Sequence, residues 1–236
     1  SKVRNNLIAI VAPGGIGKTA LILQFLKDLS LSPNWNDKIS SIIFCTLKNE
    51  RLTANGLEII EAINGIEQIK KSIFQDLKKL YNQIEINSFE DACDKLQNEK
   101  ILICIDNLET LLIHSQTEFI EFNESLPIFW RVLVTSRISI DSATTVPLEA
   151  LVKRHAVNLS RNYLRKRGVN DFKQEDLEKI ADAANNNPLA IRLTIDLYIK
   201  GIDISQSMQK SQKDIASFSY KNLIEYLSNH SISILE

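Results

Sequence analysis

The chain has 236 residues, of which 44% are hydrophobic and 24% are charged, enough to bury the core of one large domain or of two small ones. Its 28 basic and 29 acidic residues leave a formal net charge of −1, which argues against direct binding of nucleic acid or of anionic membranes. The three cysteines are widely spaced, no apolar run approaches the about 20 residues of a membrane span, and no signal peptide opens the chain. These features predict a cytoplasmic protein with reduced thiols.

Four short, almost continuously apolar runs predict parallel β-strands that are covered on both faces. They are residues 7–12, 41–46, 101–105 and 131–135, and residues 144–148 are a weaker fifth candidate. Amphipathic stretches between them predict helices over residues 66–84 and from a capping box at Ser88 to Leu96. Residues 48–51 are predicted to be a solvated loop. The alternation is typical of an α/β fold in which helices flank a parallel sheet.

The first strand leads directly into the glycine-rich segment Ala12-Pro-Gly-Gly-Ile-Gly-Lys-Thr19 and then into an apolar helix. Such a turn directs several backbone N–H groups into one concavity at a helix N-terminus, where phosphate oxygens bind. We therefore predict the phosphate-binding loop of a P-loop NTPase, in which Lys18 reaches the β- and γ-phosphates and the Thr19 hydroxyl binds Mg²⁺. The predicted nucleotide contacts of this segment are Pro13, Gly14, Gly15, Ile16, Gly17, Lys18, Thr19 and Ala20.

The segment departs from the G-x-x-x-x-G-K-[ST] pattern at one position, where Ala12 replaces the first glycine. Alanine is acceptable there if its φ stays negative. The alternative interpretation is a strand-to-helix turn that binds nothing, but such a turn gives no structural reason for Lys18.

Acidic and basic residues follow two of the other predicted strands. Asp106 ends the run 101–105, and we interpret it as the carboxylate that acts on Mg²⁺ through the water shell of the ion. Glu109 is the candidate general base for the attacking water; for both residues the alternative is an acidic cap after a strand. Arg137 follows the run 131–135 and should lie at the same edge of the sheet, where a guanidinium can bind the γ-phosphate. The alternative interpretation of Arg137 is an arginine in a surface ion pair. The candidate catalytic residues are thus Lys18, Asp106, Glu109 and Arg137.

After residue 148 the pattern becomes helical throughout. Helices are predicted over residues 149–167, over 174–184, from Pro188 onward, and from Phe218 to Leu227. We therefore predict a P-loop nucleotide-binding domain over residues 1–150, followed by a small helical subdomain over residues 151–205.

Four segments, in this order along the chain, resemble the NB-ARC (AP-ATPase) branch of the STAND signal-transduction ATPases. They are Pro-Gly-Gly-Ile-Gly-Lys-Thr19, Ile-Asp-Asn-Leu-Glu109, Val-Thr-Ser-Arg137 and Asn-Pro-Leu-Ala190. The resemblance implies that the strand before Arg137 lies between the phosphate-loop strand and the acidic strand. It implies that Pro188 packs on the nucleotide base, in a Gly-x-Pro-like motif where Asn186 holds the position often taken by glycine. It also implies that residues 206–236 begin a winged-helix domain that the chain leaves truncated.

The resemblance implies a molecular switch that binds ADP or ATP with Mg²⁺, is closed with ADP and self-associates with ATP. Slow hydrolysis would return it to the ADP state, and contact of Arg137 with the γ-phosphate would distinguish the two nucleotides. The sequence leaves open whether the role is defence or gene regulation. The alternative function is an AAA+-like ATPase with steady turnover that remodels a substrate, which requires an arginine finger from a neighbouring subunit. An inactive scaffold is disfavoured by the intact Gly-Lys-Thr19 and Asp106.

Overall fold

The computed structural model describes residues 6–35, 37–47, 50–53, 56–59 and 65–224, without the side chains of residues 50–53, 56–59, 114 and 215–224. The strands are β1 (Leu7–Val11), β2 (Ser41–Thr46), β3 (Glu50–Thr53), β4 (Gly56–Ile59), β5 (Ile101–Asp106), β6 (Arg131–Ser136) and β7 (Thr144–Pro147). The helices are α1 (Lys18–Ser30), α2 (Ile66–Leu80), α3 (Phe89–Lys95), α4 (Glu109–Ser125), α5 (Lys153–Lys166), α6 (Gln174–Ala183), α7 (Pro188–Ile199) and α8 (Ile204–Ile224). The chain divides into two compact units. The first consists of Ser1–Ala12, Lys18–Glu50 and Ile59–Leu148, and the second of Pro13–Gly17, Arg51–Glu58 and Glu149–Glu236.

The first unit contains a parallel sheet of five strands in the order β2-β5-β6-β1-β7. The predicted α/β fold with a parallel sheet is therefore confirmed. Strand β6 lies between β1 and β5, which confirms the strand order implied by the resemblance. All five predicted strands are present with ends within one residue of the prediction. The edge strand β7 ends in Pro147, a position that tolerates proline because an edge strand has N–H groups outside the ladder.

The two faces of this sheet pack into separate cores because successive side chains of a strand point to opposite sides. On one side, Ile101, Ile103 and Ile105 of β5 join a core to which α2, α3 and α4 contribute. On the other side, Leu102 and Cys104 pack with residues of α1. Every residue of β5 is buried, so its uninterrupted apolar sequence follows from burial on both faces.

The second unit has a helical core. Apolar side chains at helical spacing on α5, α6 and α7 pack together, and Ile204 and Met208 of α8 pack against them. Helix α7 begins at Pro188 as predicted, because Asn187 caps it by accepting hydrogen bonds from the N–H groups of Leu189 and Ala190.

Three local predictions need correction. The helix expected from Phe218 instead begins at Ile204 and runs to Ile224, so the predicted boundary at residue 205 falls in its first turn; residues 225–236 lie outside the described residues. Its first half is held by a buried hydrogen bond between Thr194 and Ser211.

The second correction concerns residues 48–51. Glu50 and Arg51 belong to the two-stranded β3–β4 sheet rather than to a loop, and residues 48–49 lie outside the described residues.

The third correction concerns the capping box at Ser88. The Ser88 hydroxyl accepts from the N–H of Asp91, as expected for an N-cap. The reciprocal bond differs, because the carboxylate of Asp91 accepts from the N–H of Asn87 and not from that of Ser88.

None of the helices that the structure describes is both long enough and apolar enough to cross a membrane.

Candidate functional site

The glycine-rich segment forms a tight loop between β1 and α1. Gly15 has a φ of 80° and Gly17 a φ of 104°, values that favour glycine, whereas Gly14 has no positive φ. Ala12 has no positive φ either, so the predicted condition for replacing the first glycine is met. Its N–H donates to the carbonyl of Ser136, which ties the end of β1 to the end of β6.

Lys18 is the first residue of α1, and only 9% of it is exposed. Its ammonium nitrogen lies 2.6 Å from the carbonyl oxygen of Ala12, to which it donates a hydrogen bond. The side chain is therefore turned back toward the start of the loop rather than into solvent. This position keeps a positive charge at the end of β1, where the sequence predicts phosphate binding.

Thr19 and Asp106 are in direct contact in the first unit. The Thr19 Oγ1 lies 2.9 Å from Oδ1 and 2.9 Å from Oδ2 of Asp106. Asp106 is buried with 2% exposure at the end of β5. The two predicted magnesium residues are thus brought together, although 87 positions separate them in the sequence.

Carboxylate and hydroxyl oxygens are the hard ligands that Mg²⁺ prefers, so this pair fits the ion. Within the part of the chain that the structure describes, no group of three or more His, Cys, Asp or Glu side chains is arranged to hold a metal. In proteins, Mg²⁺ usually binds through one or two carboxylates together with substrate phosphates.

Glu109 and Arg137 form an ion pair, with 2.9 Å between Oε1 of Glu109 and Nε of Arg137. The Glu109 side chain is 1% exposed and that of Arg137 20%. Despite this proximity, neither carboxylate oxygen of Glu109 has a well-aligned hydrogen-bond donor among the described residues. Burial raises the pKa of Glu109 above its ordinary value, while the nearby N–H of its own backbone and, to a smaller extent, the positive charges of Arg137 and Lys18 oppose that shift.

The loop segment Pro13–Gly17 contacts the beginning of α7 in the second unit. The N–H of Leu189 donates to the carbonyl of Gly15 at 3.2 Å, and the side-chain amide of Asn187 donates to the carbonyl of Gly14 at 3.4 Å. The N–H of each peptide group points away from its C=O. These bonds therefore turn the N–H groups of Gly15 and Ile16 away from α7.

The backbone before α7 shows why asparagine can replace glycine at position 186. Asn186 has a φ of 56°, in the left-handed region, and Asn185 has a φ of 48°. Asparagine is among the residues that enter this region most readily after glycine. Asn186 thus adopts a backbone conformation that suits glycine, and the half-buried Pro188 occupies the first position of the helix.

Neither models of known protein families nor the sequences of curated proteins give a match to this chain. Solved structures that are similar to this chain do exist. A Walker-type ATPase of Pyrococcus abyssi is similar with a TM-score of 0.61 and 14% identity, over 94% of this chain and 70% of that protein. This chain has a P-loop ATPase fold.

Two further structures agree with this fold. Domain III of the replication initiation protein DnaA of Thermotoga maritima has a TM-score of 0.51 at 16% identity, over 90% of this chain and 85% of that one. A STAND protein of Pyrococcus horikoshii with a tetratricopeptide repeat sensor has a TM-score of 0.50 at 15% identity, over 81% of this chain. This chain covers 27% of that STAND protein. At these identities the similarity shows the fold alone.

Sequence reasoning missed one residue of the site. Thr135, at the end of β6, donates a hydrogen bond from its hydroxyl to Oδ1 of Asp106 at 2.6 Å. Thr135 lies in the segment Val-Thr-Ser-Arg137, whose arginine alone is a candidate site residue in the sequence. A polar residue at the carboxyl end of a buried strand that neighbours the acidic strand indicates a site residue.

Proposed function

We propose that this chain is the nucleotide-responsive core of a STAND-type regulator related to the NB-ARC branch, binding ADP and ATP with Mg²⁺. The observation that carries the proposal is the buried ion pair of Arg137 with Glu109. A switch needs a contact that differs between its two ligands, because a ligand shifts an equilibrium only by binding the two states unequally. Arg137 provides a contact that a γ-phosphate can compete for and that ADP cannot.

The remaining site residues have roles in the binding of either nucleotide. In the proposal, the loop N–H groups and Lys18 bind phosphate oxygens, and Thr19 binds Mg²⁺ while Asp106 acts through a water of its shell. Mg²⁺ supplies charge neutralisation on the phosphates. The contact between Thr19 and Asp106 supports this assignment because it brings together a hydroxyl and a carboxylate, the oxygen ligands that Mg²⁺ prefers.

The ion pair also supports slow hydrolysis. Glu109 is the candidate base, and its carboxylate is held against Arg137 in a buried position. A water can be activated only when the carboxylate is released from this contact. An arginine finger accelerates related enzymes by roughly 10³- to 10⁵-fold. A site without one would hydrolyse ATP slowly, as a switch requires, and would not support steady turnover.

The wider cycle follows from the resemblance alone. We propose that the protein is closed with ADP, that ATP favours self-association of the full-length protein, and that Pro188 contacts the base. Whether it serves defence or gene regulation depends on effector and sensor domains.

The experiment compares the affinities of ADP and of a non-hydrolysable ATP analogue in the parent chain, in Arg137→Ala and in Arg131→Ala. Arg131 is the matched control, because it stands at the opposite end of β6, where its guanidinium donates to the carbonyl of Ile128. A charge-assisted hydrogen bond contributes about 1.5–3 kcal/mol. We therefore expect Arg137→Ala to weaken the ATP analogue about 10- to 100-fold more than ADP, and Arg131→Ala to change neither.

Equal weakening of both nucleotides by Arg137→Ala would contradict the switch. Steady turnover in the range of about 1–100 s⁻¹ that is typical of kinases would instead favour the remodelling ATPase.

A further inference from the structure

We propose that Thr135 is a positioning residue for the magnesium side of the nucleotide site, holding the carboxylate of Asp106 in the orientation that the metal shell requires. This inference rests on the proposed nucleotide function and adds to it a residue that acts through another. Thr135 does not itself touch nucleotide or metal in this proposal.

The hydrogen bonds at the Thr135 hydroxyl have a defined direction. Its oxygen accepts from the backbone N–H of Asn107 at 2.8 Å and lies 2.6 Å from Oδ1 of Asp106. A hydroxyl has one proton, and a carboxylate oxygen accepts. Since the N–H of Asn107 can only donate, the hydroxyl proton is directed to Asp106. The bond to Asp106 therefore has a fixed direction.

The Thr135 hydroxyl has little freedom to turn to another partner. Thr135 has 0% exposure, so water does not compete for the hydroxyl. A β-branched side chain in a strand also has restricted χ1 rotation. The carbonyl of Thr135 accepts from the N–H of Leu108 at 2.9 Å. Thr135 therefore bonds three consecutive residues, 106–108, and fixes the turn that follows β5.

The register of β5 and β6 places Asp106 beside Thr135. Ile105 of β5 pairs with Val134 of β6, so Asp106 and Thr135 follow side by side on the two strands. Side chains of neighbouring parallel strands at equivalent positions point to the same face. That face is the one covered by α1, where Cys104 and Leu133 pack with Ile22. Thr19, also on α1, reaches Asp106 from this side.

Two threonines therefore contact the carboxylate of Asp106. Oδ1 receives the bond from Thr135, and the Thr19 hydroxyl lies 2.9 Å from both Oδ1 and Oδ2. Fixing Oδ1 sets the plane of the carboxylate and so the direction of Oδ2. Partners of this kind, one step removed from a metal, typically change metal affinity about 10- to 100-fold when removed.

The test measures binding of a fluorescent ADP derivative in EDTA and over a series of Mg²⁺ concentrations. Magnesium-dependent binding by the parent chain tests the proposed function itself, so its absence would remove that function independently of Thr135. Thr135→Val removes the hydroxyl at nearly constant volume. We expect it to raise the Mg²⁺ concentration at half-maximal effect about 10-fold, with affinity in EDTA unchanged. Thr135→Ser keeps the hydroxyl and should restore the parent value.

A matched control is Thr194→Val, which removes another buried hydroxyl, one paired with Ser211 at 2.6 Å. It should leave the Mg²⁺ dependence unchanged even if it lowers the melting temperature. If Thr135→Val does not fold, Thr135→Ala replaces it. Thr135 would be a purely structural residue, and the inference wrong, if the folded variant kept the parent Mg²⁺ dependence or lost equal affinity with Mg²⁺ and with EDTA. Failure of Thr135→Ser to restore the parent value would also overturn it.

Discussion

Replacing Gly15 with alanine should damage the phosphate loop more than the same replacement at Gly17. Both residues have positive φ, so both variants introduce backbone strain. They differ in the space around the new Cβ. On Gly15 it would lie 2.9 Å from Oδ1 of Asn187 and 2.9 Å from Cβ of Leu189, whereas on Gly17 no described atom lies within 4 Å of it. Optimal contacts between carbon atoms are about 3.5–4.0 Å.

The expected magnitudes follow from these two causes. An unfavourable φ costs about 1–3 kcal/mol in either variant. Overpacking adds typically about 1–3 kcal/mol, and only at Gly15. The neighbours there cannot withdraw easily, because Oδ1 of Asn187 caps α7 and Cβ of Leu189 is fixed to the helix backbone. The totals are about 2–6 kcal/mol for Gly15→Ala and about 1–3 kcal/mol for Gly17→Ala.

The assay is calorimetric titration with ADP and Mg²⁺, together with thermal unfolding of each variant. We expect affinity and melting temperature to fall in the order parent chain, Gly17→Ala, Gly15→Ala. If the overpacking of about 1–3 kcal/mol acts on the binding-competent loop, the affinities of the two variants differ about 5- to 150-fold, since about 1.4 kcal/mol is a factor of ten. Equal losses in the two variants would refute the reasoning. They would show that the bonds from Asn187 and Leu189 do not constrain the loop.

Two further variants test the charges of the site. Lys18→Met keeps the buried stem but removes the ammonium. ADP binding should fall about 10- to 100-fold with little change in melting temperature, since a charge-assisted hydrogen bond contributes about 1.5–3 kcal/mol. Lys27→Met, in the last turn of the same helix, is the control and should bind normally. Burial raises the pKa of Glu109 above 4.5, so the folded chain holds this proton more tightly than the unfolded chain, and stability is lost as pH rises through the raised pKa. Glu109→Gln should therefore match the parent chain in melting temperature near pH 4 and exceed it at pH 8. A difference between the two that does not change with pH would contradict this reasoning.

The sequence by itself determined which segments of the first unit form the strands of its sheet. Strand β2 has the predicted bounds because a strand covered on both faces is apolar at nearly every position. The sequence did not determine where α8 begins, because the segment from Ile204 is rich in serine, glutamine and lysine. That helix depends on tertiary contacts, among them the bond of Ser211 to Thr194 and that of Gln212 to the carbonyl of Ala183. Pattern-based prediction fails where packing, rather than periodicity, selects the helix.

The sequence also predicts which residues of the loop bind phosphate. The spacing from Ala12 to Thr19 is local, and the geometry of a strand, a turn and a helix relates these residues directly. Asp106 was identifiable because it ends a buried strand. Only the tertiary structure decided that Thr135 bonds Asp106 and that Arg137 faces the buried Glu109. Those contacts depend on the order and register of β5 and β6, which are set by packing between elements distant in sequence and not by the spacing of residues along the chain.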